Sequence, residues 1–566
     1  MTSQALREPL AYLSQLFEQH LKNDSDATTF DPSASFLDML NEHKDQIISI
    51  NDVPVQQVPK NTLVRFRCMI QDTGLGQEMF LSAYEVRNQD GSTRLESSKY
   101  NDEPISVDMS EDLLYSQHLS ERTLVYCVSP PGETEWSREA HDIYKGSLED
   151  QLSRLGIHEN KSSIKDKYPL PGKQHTSAIV KFYNDMSETL RIGQLVEVIG
   201  IRGQNIPEIE TDESSFGLAS VLSGFPNTAV IHAIAYNSLD QATPLHEDLP
   251  DGSIETIRAE LIDYIASVLG GDKLAAEFVL LQLLSRVTMK NRGLKIGHIT
   301  ININGLPSYR TIHENESPLF GVSNPVTKPL SDLLNSLNMH SVTLPLTIDG
   351  LNQSRFSPKS INENLQSGVL QLVDGTVLLV DETVLDEGQL KDTGVRNFQA
   401  LQNVIQNQLL SYEFPYSQYN FDTDISLLSI STNNSILSNH CSVRIQPLYP
   451  LEDSEQSMLK LPKDKLNQFR KFIHSAKYGD YDIPASVSEY IQNAFVEERK
   501  KASETGDDMP MQEDLMLHMN LARLVTASFG ENELSKERFE YTVQLDKQRK
   551  SRMKKQVNKD TMYMNK

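Results

Sequence analysis

The chain is poor in cysteine and has no long apolar run. Its three cysteines, Cys68, Cys127 and Cys441, lie too far apart for zinc-ligand spacing among 566 residues. Their odd number and apolar surroundings predict reduced core thiols in an intracellular protein. No segment approaches the roughly 18 apolar residues of a membrane-spanning helix, and charged residues and a proline occupy positions 7–9, where a signal peptide would be apolar. We therefore expect neither secretion nor a membrane span.

Basic residues are also scarce. There are 53 lysines and arginines against 78 aspartates and glutamates, a formal net charge of -25. Affinity for nucleic acid depends largely on cations that neutralise phosphates, so an acidic surface opposes it. This charge argues against nucleic acid as the main partner and favours a protein with a basic face. The length predicts about two to four domains.

The motif with the most chemical content is the apolar run 377–380, which ends in Asp381 and Glu382. A buried strand ending in Asp-Glu can hold a metal-bound water with the first carboxylate and polarise an attacking water with the second. Such a pair alone also occurs by chance in many buried strands. A later apolar run, 425–430, leads to Asn433, where ATPases of the P-loop class place a γ-phosphate sensor. The order of these features favours an ATPase-related fold.

The phosphate loop of such a fold is degenerate in this chain. The preceding segment, GHITININGLPSYRTI at 297–312, has a strand pattern and the loop glycine Gly305, but no second loop glycine and no lysine. Thr311 and Ile312 occupy the places of the expected Lys-Ser/Thr pair. We predict an ATPase fold without an ATPase site, and no bound nucleotide, metal or other cofactor. An ATPase with an unorthodox loop that uses Arg310 is the enzymatic alternative.

The N-terminal half is predicted to be rich in strands. Residues 62–70 alternate with period two, which predicts a half-buried strand. Further strands are predicted at 80–86, 123–128, 177–183 and 195–201. Several short strands of this kind favour a small barrel of the OB type.

Barrels of this type often bind single-stranded nucleic acid through basic grooves and stacking aromatic rings. The residues that could serve here are Arg65, Phe66, Arg67, Tyr84, Trp136 and Tyr183. The acidic stretches 101–112 and 208–213 argue against this. A structural or protein-docking barrel is the preferred interpretation, and single-strand binding stays an alternative.

We predict a mixed α and β protein with six regions. They are an N-terminal helical segment at 1–50, an OB-like domain at 51–236 with a polar insertion at about 137–167, a linker at 237–252, a degenerate AAA+-like α/β domain at 253–450, a helical region at 451–546, and a basic, frayed tail at 547–566. Helices are expected at 3–21, 254–269 and 271–284 within this plan.

The tail contains the basic run KQRKSRMKK. Its cationic residues are Lys547, Arg549, Lys550, Arg552, Lys554 and Lys555. Charge runs of this kind are either a solvated helix face or a nuclear-import signal. The sequence leaves both interpretations open.

Several peptides carry a resemblance to known families. GDKLAAEFVLLQLLSRV, GLKIGHITININGLP and VLLVDE occur in an order that resembles the AAA+ domain of minichromosome maintenance (MCM) helicase subunits. The chain is more closely similar to the MCM complex-binding protein family, in VRFRCMIQD (64–72), YCVSPPGETEW (126–136), YPLPGKQ (168–174), LGGDKLAAE (269–277) and VDETVLDEGQL (380–390). That family usually has a long polar insertion before the YPLPG block, whereas the insertion here is short.

The resemblance implies a nuclear, non-catalytic relative of the helicase subunits that binds them. It further implies a place in an alternative MCM assembly during DNA replication, support of MCM supply, removal of MCM from chromatin, and effects on sister chromatid cohesion and the cell cycle, including mitosis and cell division. Under this reading Asp381, Glu382, Asn433, Gly305, Arg310 and Thr311 are vestigial.

Overall fold

The computed structural model describes residues 2–23, 26–87, 93–102, 118–141, 165–208, 218–239, 253–291, 294–313, 317, 319–362, 364–453, 458–505 and 509–564. The chain begins with three helices, α1 (Thr2–Arg7), α2 (Pro9–Asn23) and α3 (Ser33–Glu42). The predicted helix at 3–21 is interrupted before Pro9, because proline restricts the preceding residue and lacks an N–H.

A seven-stranded sheet follows, in the order β1-β2-β8-β9-β7-β6-β3. Because β2 pairs with both β8 and β6, the strands β2, β8, β9, β7 and β6 form a closed ring. The strands of the sheet are β1 (Ile48–Ser49), β2 (Leu63–Asp72), β3 (Gln77–Leu81), β6 (Leu119–Val128), β7 (Ser177–Tyr183), β8 (Leu195–Arg202) and β9 (Ala229–Ser238). A separate hairpin, β4 (Ala83–Arg87) and β5 (Thr93–Ser97), and the helices α4 (Glu135–His141) and α5 (Leu218–Ser223) accompany it.

The strand β2 is buried along its whole length. The prediction of a half-buried strand was therefore wrong. Val64, Phe66 and Cys68 face the interior of the ring. The N-terminal helices and the second half of the chain cover the other face, where Leu63 and Met69 belong to two further cores. Period two alone does not reveal that a second layer covers the outer face.

The second half contains a five-stranded parallel sheet in the order β15-β18-β21-β12-β22. Its strands are β12 (Ile301–Asn304), β15 (Ser341–Pro345), β18 (Val377–Asp381), β21 (Ser426–Ser431) and β22 (Cys441–Arg444). Its helices are α6 (Ile254–Ser267), α7 (Lys273–Leu283), α8 (Lys328–Leu337), α9 (Ile348–Gln353) and α10 (Asp392–Asn407).

Eight further short strands in the second half form small sheets of their own. They are β10 (Met289–Asn291), β11 (Leu294–Ile296), β13 (Thr311–Ile312), β14 (Val322–Ser323), β16 (Lys359–Ile361), β17 (Asn364–Gln366), β19 (Leu409–Phe414) and β20 (Ser417–Asp422). Four of them form a separate sheet in the order β17-β16-β19-β20. The chain then continues as α11 (Lys463–Tyr478), α12 (Ala485–Thr505), α13 (Gln512–Ser528) and α14 (Lys536–Met564).

Alternate side chains of β18 enter two different cores. Val377 and Leu379 pack with the helical layer, whereas Leu378 and Val380 share a core with Tyr126 of the barrel. A strand buried on both faces is typical of parallel sheets. The strand β18, which ends in Asp381, therefore lies between the helical layer and the barrel.

Trp136 joins three parts of the molecule. Its indole Nε1–H donates to the carbonyls of Asn335 (3.0 Å) and Asn338 (3.1 Å) at the end of α8. The guanidinium of Arg470 on α11 lies 3.9 Å from the centre of its ring. The barrel, the parallel sheet and the C-terminal helices therefore meet at this side chain.

Most of the predicted insertion and linker lie outside the described residues, at 142–164 and 240–252. The predicted helix at 254–269 ends at Ser267, and the one at 271–284 spans Lys273–Leu283. Residues 547–564, expected to fray, continue the helix α14. All three cysteines are buried free thiols, as predicted. Among the described residues, no helix has the length and apolarity to cross a membrane.

Candidate functional site

Asp381 and Glu382 lie at the carboxyl end of β18, in the middle of the parallel sheet. Asp381 is level with Pro345 at the end of β15 and with Ile430 near the end of β21. Parallel strands end at a common edge, so the loops after β12, β15, β18 and β21 converge here. This edge is the place at which an α/β sheet usually binds its ligands.

Hydroxyl and amide groups of the chain itself surround Asp381. Its Oδ2 accepts a hydrogen bond from the hydroxyl of Thr327 (2.8 Å). Its Oδ1 accepts bonds from the hydroxyl of Thr383 (2.5 Å) and from the Thr383 N–H (2.9 Å). Burial raises the pKa of Asp381, and these bonds oppose that rise. The carboxylate is thereby held in place by the protein.

Glu382 is held in the same way by the loop after β21. Its Oε1 accepts from the hydroxyl of Ser435 (2.5 Å), and its Oε2 accepts from the N–H of Ile436 (2.8 Å). Burial raises the pKa of this carboxyl group too. Asn433, the predicted sensor, is exposed, and its carbonyl accepts from the hydroxyl of Ser431 (2.6 Å).

The loop after β12 lies against the end of β21. The N–H groups of Gly305 (2.9 Å) and Leu306 (3.2 Å) both donate to the carbonyl of Ser431. Gly305 has φ +94°, and a Cβ atom there would lie 2.8 Å from Cζ of Arg444. Only glycine combines this conformation with so close an approach. The first N–H groups of the loop therefore bond to a strand end, and the guanidinium of Arg444 packs on the glycine.

Arg310 and Thr311 lie in a short hairpin and not at the start of a helix. Arg310 forms an ion pair with Asp386 (3.2 Å). Thr311 belongs to β13 and pairs with Ser323 of β14. Neither residue bonds to Asp381 or Glu382 in the part of the chain that the structure describes.

The hydroxyl that reaches Asp381 comes from Thr327, which lies outside the sequence motifs that predict the site. Thr327 is the N-cap of α8, and Pro329 follows in the first turn. Threonine before a proline and an apolar stripe is a recognised helix-start signal. That signal identifies the residue, but a phosphate-loop motif that begins at Gly305 ends at Ile312, 15 residues before Thr327.

The residues at this edge do not fit a magnesium–nucleoside triphosphate. Binding of that ligand requires a ring of free N–H groups and a lysine aimed at the β- and γ-phosphates. The N–H of Val326 instead donates to Oδ1 of Asn324 (3.0 Å), and the N–H of Thr327 donates to the Asn324 carbonyl (3.2 Å). Pro329 has no N–H. Lys328 is exposed and follows Thr327, whereas the lysine of a phosphate loop precedes its serine or threonine.

Comparison with known proteins identifies the family. Residues 35–163 and 144–553 match the family model described as Mini-chromosome maintenance replisome factor. The chain belongs to this family. Three relatives carry the name Mini-chromosome maintenance complex-binding protein. The Gallus gallus protein is 28% identical (97% of this chain, 98% of the relative), the Mus musculus protein 30% (90% and 91%) and the Arabidopsis thaliana protein 27% (93% and 95%).

In this family member, five of the six candidate nucleic-acid residues are buried, and the sixth, Trp136 on α4, is half-buried. Arg65 is 1% exposed and forms an ion pair with Glu197 (3.2 Å). Arg67 is 3% exposed and pairs with Glu133. The rings of Phe66, Tyr84 and Tyr183 are at most 1% exposed, and Trp136 lies at the three-way contact described above. These residues stabilise the fold and do not form an exposed groove.

The basic run at 547–555 is partly structural. Arg549 donates to Oδ1 of Asp546 (2.7 Å) and to the carbonyl of Ser442 (3.0 Å). Arg552 donates to Oδ2 of Asp272 (2.6 Å). Both arginines therefore tie α14 to the parallel sheet and its helices.

The other cations of the run differ in their surroundings. Lys550 forms ion pairs with Asp514 (3.0 Å) and Asp546 (3.2 Å), whereas Lys547 is exposed. The side chains of Lys554 and Lys555 lie outside the part of the chain whose side chains the structure describes. A nuclear-import role for the run stays a prediction, with Lys547, Lys554 and Lys555 as its remaining candidates.

Proposed function

We propose that this protein binds MCM helicase subunits and acts as a non-catalytic adaptor in DNA replication. The observation that carries the proposal is its likeness, over nine-tenths or more of both chains, to proteins named for binding the mini-chromosome maintenance complex. The net charge of -25 supports a protein partner with a basic face.

We further propose that residues 253–450 are a degenerate AAA+-like domain that imitates a helicase subunit. The parallel sheet, in which the strand bearing Asp381 and Glu382 lies between β15 and β21, supports this. The closed ring of five strands supports an OB-like barrel at 51–236. A subunit-like fold presents the surface through which neighbouring subunits contact one another. Because Asp381 and Glu382 are hydrogen-bonded within the chain, binding through this surface does not depend on nucleotide.

The proposed biological roles follow from this adaptor activity. They are the supply of MCM subunits, their removal from chromatin late in replication, an influence on sister chromatid cohesion, and residence in the nucleus. Each requires a stable complex with MCM subunits, so binding is the property to test first.

Two alternative functions have weaker support. An ATPase that uses Arg310 would need that guanidinium near the acidic pair, but it forms an ion pair with Asp386. A single-strand binder would need exposed cations and rings on the barrel, but Arg65 and Phe66 are buried. We retain the adaptor as the proposed function.

The test is the purified full-length chain mixed with purified MCM subunits, singly and in assemblies, followed by size-exclusion chromatography with light scattering. We expect co-elution at a defined stoichiometry that persists without nucleotide. An unrelated protein of similar size and charge is the control, since a charged surface alone gives only weak, salt-sensitive association. If no MCM subunit co-elutes with the chain, the proposal is wrong.

The alternatives are tested with the same preparation. Titration with a fluorescent ATP analogue and a hydrolysis assay address the ATPase, and titration with single-stranded DNA at several salt concentrations addresses the nucleic-acid binder. We expect no saturable signal from either ligand. Saturable ATP binding coupled to hydrolysis would show that the protein is an ATPase and not a non-catalytic adaptor.

A further inference from the structure

The hairpin formed by β19 and β20 exposes three aromatic rings. Tyr416, at the two-residue turn, is fully exposed, and Tyr419 and Phe421 of β20 are 57% and 38% exposed. Every residue of β20 is exposed. Exposed aromatic residues on a sheet edge are unusual in a monomer, because such edges invite pairing.

The two edges of this small sheet differ. At one edge, the barrel covers β17: the side-chain amide of Gln71 donates to the carbonyl of Leu365 (3.2 Å), and the N–H of Ser367 donates to the carbonyl of Asp166 (2.8 Å). At the other edge, β20 pairs only with β19 among the described strands. Proteins usually protect an open edge with lysine, proline or a bulge. The sequence of β20, SQYNFD, has neither lysine nor proline, and its pairing with β19 is regular.

Pairing within the hairpin determines which main-chain groups point outward. The N–H of Thr423 donates to the carbonyl of Gln408, which makes these two residues a hydrogen-bonded pair. Such pairs alternate along an antiparallel ladder, so Phe421 and Tyr419 direct their N–H and C=O groups toward β19. Gln418, Asn420 and Asp422 therefore direct theirs away from the hairpin. The main-chain groups of Gln418 and Asn420 are placed to accept another strand.

The two faces of the hairpin differ in chemistry. On one face, Phe421 packs edge-on against Tyr412 (4.6 Å between ring centres) and Tyr419 packs against Phe414 (5.8 Å). The other face carries Gln418, Asn420 and Asp422, opposite Glu413, Ser411 and Leu409. Residues 409–422 include two acidic residues and no lysine, arginine or histidine, although Lys359 of the neighbouring β16 pairs with Glu413 (3.1 Å).

We propose that β20 is a docking edge that accepts an extended segment of a protein partner by strand addition. A strand added there places alternate side chains beside the aromatic face and beside the acidic polar face. The matching segment alternates apolar residues with lysine or arginine. This inference rests on the function proposed above, since we assign the segment to an MCM subunit.

Charge favours a basic peptide over nucleic acid as the occupant. Exposed rings can also stack with bases, but single-strand binding needs a cationic track for the phosphates. Residues 409–422 have none, and their net negative charge disfavours a phosphate backbone and favours lysine or arginine.

The test compares Asn420→Pro with Asn420→Ala in the full-length chain. Both variants lose the same side-chain amide, but only proline removes the outward N–H and obstructs an added strand. Affinity for purified MCM subunits is measured for both variants and for the wild type. We expect the proline variant to bind about tenfold more weakly than the alanine variant, because a buried carbonyl of the partner loses its donor.

Hydrogen exchange of the same proteins shows whether the hairpin is the contact. In the wild-type complex, the outward amides of Gln418 and Asn420 are expected to become protected. In the free Asn420→Pro variant, the inward amides of Tyr419 and Phe421 must stay protected, which shows that the hairpin still forms. If they do not, Tyr419→Lys takes its place, since a lysine on the exposed aromatic face removes the ring that the apolar side chains of the added strand contact and is expected to weaken binding about tenfold.

The outcomes separate the two proposals. A complex that forms with wild-type affinity in Asn420→Pro or Tyr419→Lys and leaves the β20 amides unprotected overturns the docking edge and keeps MCM binding. Protection of β20 by single-stranded DNA in place of MCM subunits also overturns it. If the wild-type chain forms no complex with MCM subunits, the proposed function fails, and the assignment of the strand to them fails with it.

Discussion

The hydroxyl of Thr327, at the start of α8, donates a 2.8 Å hydrogen bond to Oδ2 of Asp381, at the end of β18. This bond joins the two elements between which a P-loop protein holds its magnesium ion and phosphates. Here the carboxylate also accepts two bonds from Thr383. An acidic residue of catalytic type thus serves as a structural acceptor.

We predict that Asp381→Ala lowers the free energy of unfolding by about 2 kcal/mol, because it leaves the hydroxyls of Thr327 and Thr383 without their acceptor in a buried site. Urea denaturation measures the loss. Asp381→Asn is the matched control and is expected to cost less, since an amide oxygen still accepts from one threonine. Equal stability of the alanine variant and the wild type would contradict the structural role.

We predict that Glu382→Gln leaves MCM binding and unfolding stability nearly unchanged. The amide keeps an oxygen that accepts from the Ile436 N–H. In a working ATPase the same change removes a group that supports attack by water, and the rate falls by orders of magnitude. ATP hydrolysis by the wild type that disappears in this variant would show that the site is catalytic.

The strands and helices were largely predictable, whereas the contacts across the molecule were not. The strand at 177–183 and the acidic end of β18 follow from local patterns. Thr327 was missed because 22 residues separate Gly305 from it in the chain, and folding alone brings it to Asp381. Arg65 was assigned to a possible groove because its partner, Glu197, lies 132 residues away. Period and composition do not encode such pairings.

Trp136→Ala is expected to loosen the contact between the barrel and the rest of the protein. The variant loses the cation–π contact with Arg470 and both hydrogen bonds to the end of α8. We expect a loss of about 2 kcal/mol, measured by urea denaturation followed by circular dichroism. Trp136→Phe keeps an aromatic ring and is expected to lose less. If neither variant is less stable than the wild type, other contacts hold the barrel to the rest of the protein.

The basic run is predicted to divide into two functional sets. Replacing Lys547, Lys554 and Lys555 by Gln is expected to shift the protein toward the cytoplasm without lowering its stability, as observed by fluorescence imaging and thermal unfolding. Replacing Arg549 and Arg552 by Gln is expected to lower the stability by about 2–4 kcal/mol, because the buried carboxylates of Asp546 and Asp272 lose cationic partners. If the nuclear fraction of the lysine variant is unchanged, these three lysines do not act in nuclear import and form only a solvated helix face.

The Asp546 carboxylate is predicted to make stability depend on pH in the acidic range. Burial alone would raise its pKa, but the hydrogen bond from His518 and the charges of Arg549 and Lys550 outweigh burial and lower it. Because the pKa of Asp546 is lower in the folded than in the unfolded protein, its carboxylate stabilises the fold at pH values above 3.8, the pKa in the unfolded chain. This stabilisation is lost as the pH falls below 3.8. The stability advantage of the wild type over Asp546→Asn, about 2 kcal/mol at pH 7, should shrink between pH 5 and 3. A difference that stays constant over this range would contradict the assignment.

The position of α14 on β22 sets a condition on how the chain is made. The guanidinium of Arg552 donates to the main-chain carbonyl of Arg444, a residue 108 positions earlier. At elongation rates of about 5–20 residues per second, β22 leaves the ribosome roughly 5–20 s before the helix that covers it. During that interval the nascent protein presents an open strand edge, which α14 closes once it has been synthesised.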